Sequence, residues 1–279
     1  MGALVWLASY PKSGNTWMRA FLFNLLRDLP EPADINRLDT FSPSDSARAW
    51  YEPFAPRPLE RLDMAEVAKL RPAGHRKMTR FLPDPVFVKT HNYLGPWFGV
   101  PLHTAEVTAG AVYIVRNPLD LVLSLADHFG MTVEDAIDYI AKPGAGTRLT
   151  ELYVPQIYMS WSTHVESWTA QPRRQLIVLR YEDLLAEPVK QFEALTRFLG
   201  IAAGEEKLTR AIRNSSFGVL RAQEEEAGFK ERSEKASMFF RDGRAAQWRD
   251  KLTPSQIARI VRDHRKQMER FGYVPADYV

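Results

Sequence analysis

Residues 9–17 combine a cation, several hydroxyl groups and a glycine directly after a short apolar run. Their order is Ser9-Tyr10-Pro11-Lys12-Ser13-Gly14-Asn15-Thr16-Trp17. Lys12 supplies a mobile positive charge, and Gly14 lets the backbone approach a ligand closely. The apolar run over 4–8 predicts a buried parallel strand, and the spacing over 16–27 predicts a helix. Because free N–H groups at a helix start bind anions, the loop predicts a phosphate or sulfate site.

This loop differs from the Walker A motif of nucleoside triphosphatases. In Walker A the lysine follows the second glycine of G-x-x-x-x-G-K-[ST]. Here Lys12 precedes Gly14, and Trp17 follows Thr16. The loop therefore has the chemistry of a phosphate-binding loop without that consensus. The alternative interpretation is a capped helix after an edge strand, with Lys12 in solvent.

Three further predicted strands end in residues that could take part in chemistry. Val86–Val88 leads into Lys89-Thr90-His91, Ala111–Val115 into Arg116-Asn117-Pro118, and Leu176–Leu179 into Arg180-Tyr181. Ligands of open α/β sheets bind at the carboxyl ends of strands. A histidine of ordinary pKa can take a proton from a hydroxyl near neutral pH, so His91 is a candidate general base. The alternative is a histidine packed at a strand end.

Arg116 and Ser124 could bind one phosphate together. Ser124 follows Arg116 by about two helical turns, or about 11 Å, and an arginine can donate two parallel hydrogen bonds to a phosphate. The alternative is that Arg116 pairs with Asp120 and that Ser124 faces solvent. Near the other end of the chain, residues 239–249 form a basic turn that contains Gly243.

The order of elements predicts an α/β fold, with a central parallel β-sheet flanked by helices in a single domain over residues 1–279. The predicted helices cover 16–27, 119–128, 132–140, 153–168, 189–198 and 254–271. Residues 28–85 contain nine prolines and predict loops with short helices. Residues 142–150 predict a mobile turn. The charge-dense stretch 221–247 predicts a flexible flap, interpreted as a mobile lid.

The amino-acid composition indicates which kinds of ligand and partner are expected. The 279 residues are 45% hydrophobic and 25% charged, with a net charge of +3, which suits an anionic ligand but gives no nucleic-acid stripe. The absence of cysteine excludes disulfides and thiolate metal sites and fits a cytoplasmic protein. The six histidines lack ligand spacing, so no metal is expected. No apolar run reaches about 18 residues, so no membrane span is expected.

Together these motifs resemble, along nearly the whole chain, the cytosolic-type sulfotransferases that use 3′-phosphoadenosine 5′-phosphosulfate (PAPS). That family has a fold like that of P-loop NTPases. The resemblance implies that residues 12–17 (Lys12, Ser13, Gly14, Asn15, Thr16 and Trp17) hold the 5′-phosphosulfate, with Trp17 stacked on adenine. It also implies 3′-phosphate and adenine contacts from Arg116, Ser124, Tyr181, Phe217, Arg241 and Gly243.

The catalytic residues implied by the resemblance are His91, Lys12, Lys89 and Ser124. His91 would act as the base, Lys89 would contact the sulfuryl oxygens, and Lys12 would neutralise the departing phosphate. Ser124 would restrain Lys12 until the acceptor binds. The products would be a sulfated acceptor and 3′-phosphoadenosine 5′-phosphate (PAP), with no metal involved.

The chain departs from the family pattern in two places. Asp242 stands where a lysine is expected and Ala246 where a second glycine is expected. The segment over 251–255 does not keep the Lys-Thr-Val-Glu pattern of family dimers, which leaves the oligomeric state open. The expected acceptor is a small molecule with a hydroxyl group, such as a phenol, an alcohol or a natural-product scaffold.

Candidate acceptor-pocket residues are aromatic. They are Trp97, Phe98, His128 and Phe129, and a stripe of Trp161, His164 and Trp168 for which helix packing is the alternative. Two other functions are weighed: a P-loop-type small-molecule kinase using ATP, and a non-catalytic nucleotide-binding module. The missing Walker A order disfavours the kinase. The His91 segment disfavours a module that only binds.

Overall fold

The structure, a computed structural model, describes residues 3–83 and 85–278. Its main sheet is parallel with strand order β2-β1-β5-β6, formed by β1 (Leu4–Ser9), β2 (Val86–Thr90), β5 (Thr108–Val115) and β6 (Leu176–Arg180). A small antiparallel pair joins β3 (Pro96–Trp97) and β4 (Val100–Pro101). The prediction of a central parallel sheet with these four strands is confirmed. Of the expected domain over 1–279, residues 1, 2, 84 and 279 lie outside the described residues.

Helices connect the strands within the described residues. They are α1 (Asn15–Arg27), α2 (Leu38–Phe41), α3 (Met64–Lys69), α4 (Arg71–Met78), α5 (Pro118–Phe129), α6 (Val133–Ala141), α7 (Trp161–Thr169), α8 (Tyr181–Ala186), α9 (Pro188–Phe198), α10 (Glu205–Asn214), α11 (Phe217–Ala227), α12 (Trp248–Lys251) and α13 (Pro254–Arg270). Short 3₁₀ helices lie at Ile35–Arg37, Arg48–Trp50, Glu52–Phe54, Leu59–Arg61, Ala105–Val107 and Ala276–Tyr278.

The central strand β1 divides the hydrophobic core into two layers, because successive side chains of a strand point to opposite faces. Leu4, Trp6 and Ala8 pack with α5, α6, α7 and α13. Val5 and Leu7 pack with α1, α9 and α10 on the other face. All six residues of β1 are buried. This burial fixes the point from which the loop after β1 leaves the sheet.

The predicted helix over 153–168 is wrong in its first half, since α7 begins at Trp161. Pro155 cannot donate a helical hydrogen bond, and Met159 has a left-handed φ of 61°. Residues 153 and 157 instead form isolated bridges to Ala47 and Gly146. Ser160 then caps α7 by accepting from the Thr163 N–H.

The charge-dense stretch 221–247 differs from the expected unstructured flap in its first part, because α11 continues to Ala227. In the loop that follows, Phe229 and Phe240 are each 5% exposed and join the core. The Glu224 carboxylate is buried and accepts the backbone N–H groups of Phe239 and Phe240 at 2.7 and 2.8 Å. The stretch therefore has packed contacts, and its mobility stays a prediction.

Two structural features were not found among the described residues. Among the helices of the described residues, none combines the length and the apolar character needed to cross a membrane. Across residues 3–83 and 85–278, no group of three or more histidine, cysteine, aspartate and glutamate side chains is placed to hold a metal ion.

Candidate active-site cleft

A cleft of about 1210 Å³ lies where the four parallel strands end. The residues predicted for the site line this cleft, with the exception of Ser13: Lys12, Gly14, Asn15, Thr16, Trp17, Lys89, His91, Arg116, Ser124, Tyr181, Phe217, Arg241 and Gly243. Ser13 is fully buried. Segments that are far apart in the sequence thus meet in one cavity.

The loop between β1 and α1 has the geometry of an anion site. Lys12 and Gly14 have left-handed φ angles of 66° and 99°. The N-cap has no side-chain hydrogen bond, and the first helical bond runs from the Met18 N–H to the Gly14 carbonyl at 3.1 Å. The N–H groups at the start of α1 therefore lack partners within the helix and are available to an anion.

Gly14 is required here for a second reason. A Cβ atom at this position would lie 2.8 Å from Cδ2 of Tyr181, which is closer than a side chain tolerates. The loop consequently packs directly against the aromatic ring that follows β6. Any larger residue at 14 would push the loop and Tyr181 apart.

Two polar residues of the loop, Asn15 and Ser13, differ in their contacts. The Asn15 side chain donates to the Leu7 carbonyl at 2.8 Å and ties the loop to β1. The Ser13 hydroxyl is buried with no hydrogen-bond partner among the described residues. The structure therefore does not place the Ser13 side chain in the cleft.

Arg116 reaches the loop across the cleft. Its Nη1 donates to the Lys12 carbonyl at 2.7 Å, and its guanidinium lies 4.5 Å from the centre of the Tyr181 ring. Its Nε is buried without a partner among the described residues. Asp120 is not its partner, since that carboxylate accepts the N–H groups of Ala246 and Trp248 at 2.7 and 3.0 Å. Arg116 therefore retains donors for an anionic ligand.

The late turn packs against Phe217. Gly243 has a left-handed φ of 61°, and a Cβ atom there would lie 2.4 Å from the Phe217 ring. Arg241 Nη1 lies 3.7 Å from the Asp127 carboxylate. Asp242, which stands where the family pattern has a lysine, pairs with Arg244 at 3.1 Å and Lys251 at 3.2 Å. Arg241 and Gly243 of the turn, together with the Phe217 ring against which the turn packs, therefore line the cleft.

Trp17 continues the aromatic wall. Its ring meets Tyr181 and Phe192 edge-on at 5.9 and 5.7 Å between centroids. Trp17, Tyr181 and Phe217 all line the cleft. Aromatic faces grouped in this way suit a flat heterocyclic base.

His91 is held in one tautomer. Its Nδ1 lies 2.8 Å from the Ser9 carbonyl oxygen, which can only accept, so Nδ1 carries the proton and Nε2 keeps its lone pair. Burial, together with the nearby Lys89, lowers the pKa of His91 to about 3. The His91 carbonyl accepts from Nε2 of His164 at 3.1 Å, which fixes the backbone here. The ring is therefore neutral at physiological pH with the lone pair of Nε2 available, but its pKa is below the ordinary value that the sequence reasoning assumed.

The two lysines that line the cleft beside the predicted site have different surroundings. Lys12 Nζ lies 3.6 Å from the centre of the Phe239 ring, and burial, followed by the Arg116 charge, lowers the pKa of Lys12 to about 7. Lys89 Nζ pairs with the Glu231 carboxylate at 2.8 Å. Glu231 also pairs with Arg19 at 2.7 Å. Sequence reasoning missed Arg19 and Glu231, since nothing in the local pattern of either residue signals a contact between segments so far apart.

The aromatic residues of the cleft differ in part from those predicted. Trp161, His164 and Trp168 are buried in the core, so helix packing explains their spacing. Of the other predicted residues, His128 and Phe129 line the cleft, whereas Trp97 and Phe98 are not among its lining residues, so the prediction is wrong for that pair. Beyond them, the cleft wall includes aromatic residues that the sequence reasoning missed: Trp50, Phe81, Tyr153 and Tyr158.

Comparison with known proteins identifies the family and the fold. A sequence model of the sulfotransferase domain family matches residues 3–272. Sulfotransferase 1B1 of Canis lupus familiaris is 26% identical over 271 residues, covering 94% of this chain and 82% of the relative. Cytosolic sulfotransferase 16 of Arabidopsis thaliana is 26% identical over 275 residues, covering 91% and 72%. Retinol dehydratase in complex with retinol and PAP shares the fold, with a TM-score of 0.65, 20% identity, and coverage of 95% of this chain and 81% of that chain.

Proposed function

The chain belongs to the sulfotransferase domain family, and we propose that it transfers the sulfuryl group of PAPS to a hydroxyl group of a small-molecule acceptor, releasing PAP. One observation carries the proposal. An anion-binding helix start, with Lys12 beside it, shares a cleft with a neutral histidine whose Nε2 is free to accept a proton. PAP in the related retinol dehydratase structure supports the choice of nucleotide.

In the proposed complex the loop over 12–17 binds the 5′-phosphosulfate through backbone N–H groups and Lys12. Arg116 and Ser124 bind the 3′-phosphate, with Arg241 and Gly243 closing over it. Trp17, Tyr181 and Phe217 enclose the adenine. These assignments are supported by the shared cleft and by the free donors of Arg116.

In the proposed reaction the acceptor oxygen attacks sulfur in line with the departing oxygen. An O–S bond forms, the bond from sulfur to the 5′-phosphate oxygen breaks, and the electron pair stays on PAP. His91 Nε2 takes the hydroxyl proton. Lys12 and the loop N–H groups stabilise the charge on the departing phosphate and the sulfuryl oxygens. As in phosphoryl transfer, most of the catalysis is positioning and charge stabilisation.

The acceptor in this proposal is partly apolar. Trp50, Phe81, Phe129, Tyr153 and Tyr158 line the cleft, and aromatic walls favour an aromatic or alicyclic body carrying the hydroxyl group. The retinol of the related complex is an alcohol of this kind. Cytoplasmic localisation is part of the same proposal and is supported by the relative named cytosolic sulfotransferase 16 of Arabidopsis thaliana.

The proposal is tested by offering the purified protein radiolabelled PAPS or radiolabelled ATP with magnesium, against phenols, sterols, aliphatic alcohols and amines. We expect label from PAPS in a hydroxylated acceptor, with one PAP formed for each product. His91→Ala should lower the rate of transfer at least ~100-fold, whereas Glu234→Gln, at an exposed position outside the cleft, should retain it. Transfer from ATP alone would identify a kinase. Tight PAP binding with no transfer to any acceptor would identify a binding module.

A further inference from the structure

Glu231 joins three parts of the molecule. It lies in the loop after α11, and its carboxylate contacts Nη1 of Arg19 on α1 at 2.7 and 3.0 Å. The same carboxylate contacts Nζ of Lys89 at the end of β2 at 2.8 Å. All three residues line the cleft.

This triad is shielded from solvent. The Arg19 side chain is 1% exposed, and those of Glu231 and Lys89 are 17% and 19% exposed. Burial alone would raise the pKa of Glu231, but Lys89 and Arg19 hold that pKa well below its usual range. Glu231 is therefore ionised. Among the described residues, the other hydrogen bond of the Arg19 side chain runs from Nη2 to the uncharged Ser42 carbonyl at 3.0 Å. The counter-charge of Arg19 therefore comes from Glu231.

The contact fixes a lysine that would otherwise rotate freely. Lys89 stands two residues before His91, and a lysine ammonium is a point charge on a flexible stem. Because two cations share one carboxylate, the triad keeps one net positive charge. Lys89 therefore still attracts an anionic group while its position is set by Glu231.

The same loop also reaches the nucleotide end of the cleft. Phe239, eight residues after Glu231, lies over Lys12, and Arg241 and Gly243 follow it directly. A loop anchored at Glu231 thus touches both flanks of the proposed reaction centre. Loss of the anchor would free Lys89 and loosen the loop together.

We propose that Glu231 is a positioning residue for sulfuryl transfer, holding the Lys89 ammonium beside His91 when the loop is seated. The expected effect of Glu231 on kcat rests on the proposed function. The ion pair itself does not depend on that function and can be measured separately.

The kinetic test is a double-mutant cycle with Glu231→Gln and Lys89→Met, measured with PAPS and the best acceptor of the panel. We expect Glu231→Gln to lower kcat about tenfold in the wild-type background and less than about twofold in the Lys89→Met background. Glu234→Gln, the same change at an exposed position of the loop, should keep the wild-type kcat. An equal loss of kcat in both backgrounds, or no loss in the first, would overturn the proposal.

Melting temperatures establish that each variant folds. If Glu231→Gln does not fold because Arg19 is left without a counter-charge, Glu231→Asp keeps the charge but is one methylene too short to hold both cations. We expect this variant to show the same dependence on Lys89, and wild-type kcat in it would contradict the inference.

Acetylation of Lys89 by acetic anhydride, followed by mass spectrometry, tests the ion pair without turnover. Lys89 should react several times faster in Glu231→Gln or Glu231→Asp than in the wild type, with Glu234→Gln unchanged. Equal rates would refute the contact. If the wild-type protein transfers no sulfuryl group, but Lys89 is still labelled faster in the Glu231 variants than in the wild type, the proposed function is refuted and the Glu231–Lys89 contact is supported.

Discussion

The pH dependence of kcat/KM for PAPS tests the role proposed for Lys12. Burial, followed by the nearby Arg116 charge, lowers the pKa of Lys12 from 10.5 to about 7. This ratio reports ionisations of the free enzyme. Because only the ammonium form can neutralise the 5′-phosphosulfate, raising the pH above 7 should remove the competent form.

The size of the effect follows from the titration. The protonated fraction of a group with a pKa of about 7 falls from about one half at pH 7 to about one hundredth at pH 9, whereas an ordinary lysine stays charged. We therefore expect kcat/KM for PAPS to fall about 50-fold over this interval. Bound PAPS adds negative charge and raises the pKa of Lys12, so kcat at saturation should fall much less.

The assay measures initial rates from about pH 6 to about pH 9.5, with an aliphatic alcohol acceptor that does not ionise in this range. In the Lys12→Arg variant the guanidinium stays charged over the whole pH range. We therefore expect kcat/KM for PAPS in this variant not to fall at alkaline pH, whatever its absolute value. Lys235→Arg, the same change in the exposed part of the loop, should keep the alkaline fall. A wild-type ratio that is flat to pH 9, or the same fall in Lys12→Arg, would refute the assignment.

Three further outcomes are expected. His91→Ala should lower kcat at least ~100-fold with little change in the Kd of PAP by calorimetry, because a base acts on the acceptor. A turnover like that of the wild type would exclude the role. Arg116→Ala should weaken PAPS by about 2–4 kcal/mol more than adenosine 5′-phosphosulfate, which lacks the 3′-phosphate; equal losses would place Arg116 elsewhere. Saturating PAP should slow tryptic cleavage at Lys230 and Lys235 but not at the exposed Arg173. Equal rates would contradict a nucleotide-gated lid.

The parts of the site that the sequence predicts share one property: each is signalled within a short segment. Lys12, His91 and Arg116 each lie within three residues of the end of an apolar strand, and the parallel order of those strands brings their carboxyl ends to one edge. Local patterning therefore predicts both the sheet and the place where these residues meet. Local patterning cannot predict the protonation of His91. The tautomer of His91 depends on the Ser9 carbonyl, and the low pKa of His91 depends on burial.

The helix prediction from local patterning is wrong where the chain has no regular secondary structure. Apolar residues over 153–168 have helical spacing, yet Pro155 and the left-handed Met159 keep the first half extended. The extended part forms bridges to residues 47 and 146. As a result Tyr153 and Tyr158 line the cleft, although the sequence reasoning did not predict either residue there.

Residues 221–247 show why charge density alone does not predict disorder. A buried carboxylate is costly unless donors or cations compensate it, and those partners lie elsewhere in the chain. Glu224 finds two backbone N–H groups 15 and 16 residues away, and Glu231 finds Lys89 and Arg19 at separations of 142 and 212 residues. The acidic residues that predict a solvated flap therefore provide contacts that seat it. Opening the segment would break these polar contacts and would also expose Phe229 and Phe240, which are buried in the core. Release of the segment on nucleotide exchange therefore stays a prediction, which the proteolysis with and without PAP tests.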